Sequence, residues 1–328
     1  MSSDLRKKLL EAFTNKPDEY ISGQELADML GCSRTAVWKH IEEMRKDGFI
    51  LEAVRKKGYR IMSGPKSIIP DEVRFGLKTK FLGRNIYYEE TVDSTQKIAQ
   101  RLAYEGAEEG TIVLAEEQVG GRGRMDRSWH SPKYKGIWMS VLLRPNIPIM
   151  QAPQLTLLTA VAVVQGIEEI TGIQAQIKWP NDVLINDKKV TGILTELQAD
   201  SDRIHSLIVG IGINVNQQVE DYPEELRQTA TSLFIEKKEN WNRAVIIQAI
   251  LLKMEKLYMI YLENGFYPIK LLWESYALTI GTMITASTLT GKLEGKALGI
   301  TDDGVLLLED AQGITHRIYS ADISVTSR

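Results

Sequence analysis

The amino-acid sequence predicts an α+β protein built from three parts. These are an N-terminal winged helix-turn-helix, a central mixed α/β domain and a small C-terminal β-barrel. Short amphipathic helices precede a hairpin pattern near the N-terminus, and strands and helices then alternate irregularly. Short strand-like runs between regular turns fill the C-terminal end. We place the domains at residues 1–64, 65–280 and 281–328.

Length and composition are those of a soluble globular protein. The 328 residues suffice for two or three domains, and 43% are hydrophobic and 25% charged. Because the net charge is −3, any nucleic-acid surface must be local. The single cysteine, Cys32, excludes an internal disulfide framework and a cysteine zinc site. With no signal-peptide core and no apolar stretch longer than Leu155–Val164, we expect a cytoplasmic protein without a membrane partner.

The N-terminal segment predicts two closely spaced helices after a first amphipathic one at residues 4–13. Ser22 and Glu25 form a capping box that begins the second helix, and Gly31 ends it. The expected inner face of this second helix is Leu26, Met29 and Leu30. Two helices joined by so tight a turn are typical of a helix-turn-helix.

The third helix and the hairpin after it carry the charge expected of a DNA-binding surface. Ser33 caps this helix, which we expect to end at Gly48, and residues 49–61 predict two strands joined by a basic turn. Residues 33–60 hold eight cations and four acids, a net charge of +4. The expected DNA contacts are Ser33, Arg34, Thr35, Trp38, Lys39, Arg55, Lys56 and Lys57. A winged helix used only for protein contacts is the alternative.

A breaker segment at residues 63–66 predicts a linker, after which the central domain begins. The predicted strands are Asn85–Thr91, Thr111–Glu117, Ile137–Arg144, Gln176–Trp179, Val190–Gln198 and Ile204–Val215. The predicted helices are Ser94–Glu105, Pro153–Thr171, Asn242–Asn264 and Phe266–Ala277, with residues 217–240 irregular. The C-terminal strands are predicted at Met283–Ser287, Gly295–Ile300, Gly304–Leu308 and Ile314–Tyr319.

The loop GGRGRMDRSWHSP, residues 120–132, combines glycines with three arginines and ends near Trp129. Residues 120–135 hold five cations and one acid, a net charge of +4. Glycine lets backbone N–H groups approach an anion, and arginine adds planar donors suited to phosphate or carboxylate. The loop on its own fits a nucleotide site, a nucleic-acid site or a solvated turn.

Two later segments place charges or glycines inside apolar runs. In IKWPNDVLINDKKVTGIL, residues 177–194, the charges of Lys178, Asp182 and Lys189 stand beside Val, Ile and Leu. Such charges are costly at strand ends unless they are paired or used, although Asn181 and Asp182 also suit a plain turn. GIGINVN, residues 210–216, has two glycines in a strand, which often marks close approach by a ligand.

The sequence lacks the motifs of several other nucleotide-binding, metal-binding and hydrolytic sites. The chain has no Walker A motif and no dinucleotide fingerprint, because GIGINVN lacks a third glycine and a strand-turn-helix context. Its four histidines have no metal-ligand spacing, so we expect no metal site in the protein. No Gly-x-Ser-x-Gly or Ser-His-Asp pattern is present.

Taken together, these motifs resemble the biotin–protein ligases. The resemblance rests on DST at 93–95, GRGR at 121–124 with Trp129, KWPND at 178–182, KVTGIL at 189–194 and GIGIN at 210–214. Their order and spacing are those of the family, and the resemblance covers essentially all 328 residues. With its winged helix the chain resembles the bifunctional members, the biotin operon repressors, which implies a central ligase domain and an SH3-like C-terminal barrel.

The resemblance implies two half-reactions. The biotin carboxylate attacks the α-phosphate of Mg-ATP to give biotinyl-5′-adenylate and pyrophosphate. A lysine of the biotin carboxyl carrier domain of acetyl-CoA carboxylase, or of another biotin-dependent carboxylase, then attacks the adenylate and AMP leaves. ATP and Mg²⁺ are thus the expected cofactors and biotin the substrate.

The implied roles follow the same motifs. Arg122, Arg124, Lys189, Lys178 and Asp182 are the expected catalytic residues, with the two arginines and Lys189 at the carboxylate and phosphate and Asp182 orienting the acceptor amine. The expected biotin and adenylate contacts are Ser94, Thr95, Gln96, Gln118, Gly121, Arg122, Gly123, Arg124, Trp129, Lys189, Gly192, Gly210, Gly212 and Asn214. Trp129 would cover the apolar part of biotin, and an ordinary core tryptophan is the alternative.

Two positions depart from the family pattern. Gln96 stands where Asn is common, and Met125-Asp126 stand where Arg-Gly is common. We therefore give Met125 no role with ATP, and we assign no adenine-stacking residue. Trp241 lies in a stretch of ambiguous structure.

The resemblance also implies regulation. Because glycine-rich charged loops have low local stability, we expect the arginine loop to be disordered without ligand and to fold over the adenylate. The ordered loop could then complete a homodimer whose two winged helices match two half-sites of operator DNA. The adenylate would then be both intermediate and corepressor. A lipoate-ligase-like enzyme, a ligand-sensing repressor without catalysis and a ligase without DNA binding are the alternatives.

Overall fold

The structure, a computed structural model, describes residues 2–16, 19–46, 49–63, 68–200, 203–288 and 291–325. It divides into two compact units. The first comprises the chain up to Lys78 together with Asn242–Gln248, and the second comprises Thr79–Trp241 and the chain from Ala249 onward.

The first unit packs helices against a two-stranded sheet. Its elements are α1 (Ser2–Asn15), α2 (Gly23–Leu30), α3 (Arg34–Lys46), β1 (Ile50–Val54), β2 (Gly58–Ser63) and the short α4 (Pro70–Arg74). β1 and β2 are antiparallel. Its core includes Leu9, Leu10, Phe13, Leu26, Val37, Ile41, Met44 and Leu51. The predicted helices and hairpin of a winged helix-turn-helix are therefore present.

The turns of the first unit are fixed by a cap and by glycines. Ser22 Oγ accepts a hydrogen bond of 3.1 Å from the backbone N–H of Glu25, and Gly31, at a φ of 61°, ends α2. Gly58 has a φ of 113°, and a Cβ there would lie 2.0 Å from the carbonyl oxygen of Ile21. Only glycine therefore lets Ile21 and Tyr59 exchange their two backbone hydrogen bonds of 2.9 Å.

Details of this unit differ from the sequence prediction. Met29 is wrongly placed on the inner face of α2, since it is 55% exposed while Leu26, Ala27 and Leu30 are buried. The eight-residue helix turns only a narrow face inward, and Met29 lies beside it. The predicted end of α3 at Gly48 lies outside the described residues, as does most of the predicted linker at 63–66.

The second unit is built on a seven-stranded mixed sheet. Its strands are β3 (Ile86–Val92), β4 (Ile112–Gln118), β5 (Ile137–Leu143), β6 (Gln176–Lys178), β7 (Asp182–Ile185), β8 (Lys188–Ala199) and β9 (Ile204–Ile213). Their order across the sheet is β3-β4-β5-β9-β8-β7-β6. Only the β3–β4 pair is parallel, which confirms a mixed α+β domain rather than a βαβ repeat.

Helices accompany the sheet. They are α5 (Thr95–Tyr104), α6 (Ala152–Thr171), α7 (Leu233–Lys237), α8 (Arg243–Asn264) and α9 (Tyr267–Tyr276). The first residues of α8, up to Gln248, belong to the first unit. Among the described residues, Ile149–Thr171 alone is long and apolar enough to cross a membrane, and 67% of its 18-residue window is buried within the protein. That burial is typical of a core helix. The segment predicted as irregular contains α7, which Ser232 caps.

The C-terminal strands form a separate antiparallel sheet. They are β10 (Met283–Thr288), β11 (Gly291–Ile300), β12 (Leu306–Glu309), β13 (Thr315–Ile318) and β14 (Asp322–Val325), in the order β13-β12-β11-β10-β14. β14 was not predicted, because four residues are too few for a clear alternation. No pairing joins β13 to β14 within the described residues, so closure into an SH3-like barrel stays a prediction.

Candidate functional site

A cavity of about 460 Å³ opens on the central sheet of the second unit. The start of α5, the arginine loop, the β7–β8 hairpin and the segment after β9 surround it. Its lining includes Ser94, Thr95, Gln96, Gln118, Arg122, Gly123, Arg124, Trp129, Lys178, Asp182, Lys189, Gly192, Gly210, Gly212 and Asn214. Chain segments far apart in sequence therefore meet at one site, as the motif assignment requires.

The inner end of the cavity is polar, uncharged and almost fully buried. Thr95 and Gln96, in the first turn of α5, are each 3% exposed, and Ser140 in the middle of β5 is 0% exposed. Thr95 Oγ1 lies 2.9 Å from Ser140 Oγ, which donates a hydrogen bond of 3.0 Å to Gln96 Oε1. Gln118 Oε1 accepts from the backbone N–H of Thr95 at 2.9 Å. These internal bonds hold the polar groups in place before any ligand arrives.

The strand glycines make room for protein side chains. Gly192 of β8 and Gly212 of β9 face each other in register. A Cβ on Gly192 would lie 2.9 Å from the indole of Trp129, and a Cβ on Gly212 would lie 2.4 Å from it. A Cβ on Gly210 would lie 2.7 Å from Gln96 Oε1. Glycines in such a strand were expected to mark close approach by a ligand, whereas in this structure the indole of Trp129 and the amide of Gln96 lie against them.

The arginine loop is a hairpin in this structure. Gln118 pairs with Ser131 and Arg122 with Ser128, and the N–H of Trp129 donates to the carbonyl of Gly121 at 2.8 Å. Gly121 therefore closes the hairpin and does not line the cavity, although we expected it to contact the ligand. The tip adopts left-handed backbone at Met125 and Asp126, each with a φ of 54°.

The loop arginines have partners from three parts of the second unit. Arg122 pairs with Glu196 at 2.9 Å, and Arg124 donates to Asn181 Oδ1 at 3.1 Å. In the C-terminal domain, Ser320 Oγ accepts from Arg124 at 2.6 Å and the carboxylate of Asp322 pairs with Arg127. Burial lowers the pKa of Arg124, with Asp182 and Asp322 opposing the shift. Arg122 Nε is buried and has no hydrogen-bond partner among the described residues.

Lys189 and Asp182 form an ion pair at the cavity wall. Lys189 Nζ lies 2.7 Å from Asp182 Oδ1 and 5.3 Å from the centre of the Trp129 ring. Lys178 stands opposite Asp182 in the β6–β7 register, and its ammonium has no ion-pair partner among the described residues. The β7–β8 turn has left-handed residues at Asn186 and Asp187, and Lys189 is the second residue of the returning strand β8.

The outer wall contains residues that the sequence did not single out. Tyr222, Leu226, Gln228, Thr229 and Ala230 line it. The wall is tied to the site because the N–H of Lys189 donates to the Thr229 carbonyl at 2.8 Å. The Tyr222 hydroxyl donates to the carbonyl of Thr231 at 2.9 Å, and burial raises its pKa.

A second cavity of about 440 Å³ adjoins the first and shares Arg124, Asn181 and Ile193 with it. The start of α6, β8 and the C-terminal domain line the rest. Its apolar lining includes Met150, which is 71% exposed, and Leu197, which is 41% exposed. Arg317 adds a cation at the rim.

Ser140 and Asn181 were the clearest omissions from the predicted site. Ser140 is the one hydroxyl in the apolar strand IWMSVLL, a pattern that could have marked it. Asn181 was taken as a turn former. Its Oδ1 accepts a hydrogen bond from Arg124, and its Nδ2 donates to the Ile193 carbonyl at 2.9 Å. The Asp322 contact joins residues 195 positions apart and had no local signal.

In the first unit, the predicted DNA contacts lie on its surface. Ser33 Oγ accepts from the N–H of Ala36 at 3.2 Å and so caps α3. Trp38 is 54% exposed, and Arg34, Thr35 and Lys39 are exposed beside it. The hairpin turn Arg55–Lys57 is exposed as well, with Lys56 at a φ of 70°. Helix and turn thus present the side chains that the prediction requires.

Comparison with known families matches three segments of the chain. Residues 88–214 match the Biotin/lipoate A/B protein ligase family. Residues 5–60 match an HTH domain, and residues 279–325 match the Biotin protein ligase C terminal domain.

Individual proteins extend the likeness to the full length. The Bifunctional ligase/repressor BirA of Bacillus subtilis (strain 168) is 59% identical over 325 residues, which cover 99% of this chain and 100% of that protein. The Escherichia coli (strain K12) protein of the same name is 26% identical over 98% of this chain and 97% of its own. The biotin protein ligase from Aquifex aeolicus, solved in complex with biotin and ATP, has a TM-score of 0.64 and 34% identity, covering 75% of this chain and 100% of that chain.

Proposed function

Because the chain belongs to the biotin–protein ligase family, among members that carry a helix-turn-helix domain, we propose that it joins biotin to a carrier lysine and represses transcription. One observation carries the ligase proposal. A single cavity has a buried neutral polar end and, at its mouth, the cations Arg122, Arg124, Arg127, Lys178 and Lys189. An uncharged ring system and a phosphate-bearing partner fit such a pair of environments.

The cavity suits the first half-reaction. A biotin carboxylate oxygen attacks the α-phosphorus of ATP, the bond to the β-phosphate bridging oxygen breaks, and pyrophosphate leaves. Arg122, Arg124 and Lys189 would bind the carboxylate and phosphate oxygens, where preorganised cations stabilise developing negative charge. Trp129 would provide the apolar wall against the bound biotin, and Gly123 would let the loop backbone approach.

Magnesium is best treated as part of the Mg-ATP substrate. Among the described residues no three His, Cys, Asp or Glu side chains come together as metal ligands. Mg²⁺ commonly keeps several waters and binds through substrate phosphates with one or two carboxylates. Asp182, Asp187 and Asp322 are the carboxylates that line the cavity, and one or two of them would contact the ion.

The second half-reaction needs an approach for the carrier lysine. Its neutral amine attacks the biotinyl carbonyl carbon, a C–N bond forms, the C–O bond to AMP breaks, and the amine loses a proton. The second cavity supports this step because it shares Arg124 and Asn181 with the first. Asp182 would orient the amine, with Lys178 beside it.

The repressor function follows from the first unit. Its basic α3 and hairpin would bind operator DNA, and a homodimer would match two half-sites. We propose that biotinyl-5′-adenylate is the corepressor, acting through the arginine loop, and that the protein works in the cytoplasm, where ATP and DNA are both available. We propose domain limits at residues 1–64, 65–280 and 281–328, and truncated variants would be cut at these limits.

Transfer of labelled biotin to the lysine of a purified carrier domain tests the ligase. We expect ATP-dependent amide formation that does not occur with a Lys→Arg carrier. A lipoate-ligase-like enzyme would transfer lipoate at least as well, and a sensor without catalysis would transfer nothing.

Operator binding tests the repressor. Lys39→Ala or Lys56→Ala should reduce the salt slope by about one, since each removes one phosphate contact. Arg34→Ala or Trp38→Ala should instead alter sequence preference. Removal of residues 1–64 should abolish DNA binding. Equal operator affinity with and without biotin plus ATP would contradict the proposed role of the adenylate as corepressor.

A further inference from the structure

The β1–β2 hairpin of the first unit has an outer face that its core does not use. Leu51 and Ile61 are paired in register and are buried in the core. Side chains alternate along a strand, so the next pair, Glu52 and Arg60, lies on the opposite face. That face therefore has a carboxylate and a guanidinium directly across from each other.

Tyr20 joins this pair from the other edge of β2. It precedes Ile21, which pairs with Tyr59 along that edge. The Tyr20 hydroxyl donates a hydrogen bond of 2.6 Å to Glu52 Oε2, and Arg60 donates one of 2.8 Å to the same oxygen. The guanidinium carbon of Arg60 lies 4.7 Å from the centre of the Tyr20 ring, within cation–π range. The three side chains thus form one closed cluster.

The cluster covers its cation from two sides. The hydrogen bond from Tyr20, and then that from Arg60, lowers the pKa of Glu52, so the carboxylate is ionised at neutral pH. The side chain of Arg60 is only 26% exposed. An ion pair at the surface contributes little by itself. Here the guanidinium would have to leave both a carboxylate and an aromatic ring to bind another anion.

The cluster lies close to the basic turn that is expected to meet DNA. Lys57 belongs to that turn, and its Nζ lies 5.6 Å from the centre of the Tyr20 ring. A phosphate bound at the turn would therefore come near Arg60. It would also approach the carboxylate of Glu52, whose like charge repels it.

We infer that Glu52 and Tyr20 are positioning residues that withhold Arg60 from the DNA backbone and so limit the number of phosphates that each winged helix contacts. The inference rests on the proposed DNA binding, in which Arg60 is one of the eight cations of residues 33–60. Phosphate contacts bind any sequence, so fewer of them mean weaker binding to unrelated DNA. Weak binding there matters because a genome offers far more unrelated sites than operators.

Binding of the full chain to a mixed-sequence DNA duplex, titrated over about 50–200 mM salt, tests the inference. Glu52→Gln removes the charge that holds Arg60 and should add one phosphate contact. Affinity at the low-salt end should rise about threefold or more, and the salt slope should steepen by about one. Damage to the fold would instead lower the affinity.

Glu42→Gln is the matched control. It makes the same change of net charge in the same unit, and its ion-pair partner is Arg45 at 2.6 Å. Arg45 also donates to the Leu51 carbonyl at 2.9 Å, so it stays bound when the carboxylate is lost. The salt slope of this variant should remain that of the wild-type chain.

Arg60→Ala shows whether the gain comes from the withheld cation. Alone it should leave the salt slope unchanged, whereas Lys56→Ala reduces it by about one. Combined with Glu52→Gln, it should cancel the gain. A wild-type slope in Glu52→Gln, or a slope reduced in Arg60→Ala as much as in Lys56→Ala, would overturn the inference. If the wild-type chain binds no DNA at all, the proposed repressor function falls first and the inference falls with it.

Discussion

The two ends of the main cavity are held in different ways. At the inner end, Thr95, Gln96 and Ser140 are at most 3% exposed, and each is fixed by neutral hydrogen bonds to its neighbours. At the mouth, Arg122 and Lys189 are 31% and 34% exposed and pair with Glu196 and Asp182. Half-exposed ion pairs contribute at most about 1 kcal/mol each. We therefore expect a ligand anion to displace the partners at the mouth and to leave the inner end as it is.

This contrast separates recognition from chemistry. The inner end would bind an uncharged ring through hydrogen-bond donors and acceptors whose directions are already set. Its conformation should therefore change little when the ring binds. At the mouth, Arg122 and Lys189 are paired with carboxylates that a ligand phosphate can replace. The conformation of the mouth should therefore change most when phosphate binds. The loop that carries the arginines also contains the left-handed Met125 and Asp126, a conformation that costs non-glycine residues free energy.

The largest expected effect is at Lys189. Lys189→Ala should lower the rate of adenylate formation on the order of 100-fold, because it removes a cation from the reacting oxygens. Folding should change little, since its ion pair with Asp182 is half-exposed. Lys188→Ala, one residue away and outside the cavity, is the control. A normal rate per folded molecule would leave Lys189 as a structural partner only.

Arg122→Ala and Arg124→Ala should weaken retention of biotin and adenylate while the chain still folds. The loss of a charged hydrogen-bonding partner corresponds to about 1.5–3 kcal/mol. Release of labelled adenylate measures the effect, with the exposed Arg101→Ala as a control. Unchanged formation and release in both variants would remove the loop from the mechanism.

Much of this site was visible in the sequence, because its motifs are short and local. Lys178, Asp182 and Lys189 were identified from charges inside apolar runs, and the arginine loop from its glycines. Most strands were also placed within one or two residues by their apolar patterns. Short elements such as α4, α7 and β14 escaped, because a helix of five residues or a strand of four shows no clear period.

The orientation of side chains could not be read from local patterns. Gln96 was expected to contact the ligand, but no pattern in the sequence showed that its amide also donates to the carbonyls of Leu194 in β8 and Ile208 in β9. Met29 fitted a helical spacing and still faces solvent. Both outcomes depend on residues that only tertiary packing brings near.

Gly212→Ala should have an intermediate effect and tests how rigid the cavity floor is. The added Cβ would lie 2.4 Å from Trp129 Nε1, so the indole or the strand beneath it must shift at the cavity wall. We expect biotin affinity to fall about 10-fold. Trp129→Phe in the same chain should cost less than the sum of the two changes, because the smaller ring clears the methyl group. Strictly additive losses would show that the two positions act separately.

Hydrogen exchange compares the two ends directly. Binding of biotin plus ATP should slow exchange in residues 119–131, where the arginine loop lies, and leave Ile137–Leu143 of β5 as before. The buried strand is already protected from exchange without ligand. The hairpin loop has fewer backbone hydrogen bonds, so its exchange has more room to slow. A loop whose exchange does not change would contradict the proposed ordering by the adenylate.

The smallest effect is expected at the contact between the loop and the C-terminal domain. Asp322→Asn should raise the KM for ATP by about threefold or less, since its ion pair with Arg127 is largely exposed. The effect should disappear at high salt. Asp302→Asn, whose partner Lys270 lies outside both cavities, should have no such effect.

Biotin-dependent exchange of labelled pyrophosphate into ATP tests the central claim that one cavity joins a biotin carboxylate to the α-phosphate of ATP. We predict exchange by the wild-type chain with biotin, no exchange without it, and no exchange when lipoate replaces biotin. Exchange that needs no biotin, or that lipoate supports equally well, would contradict the account.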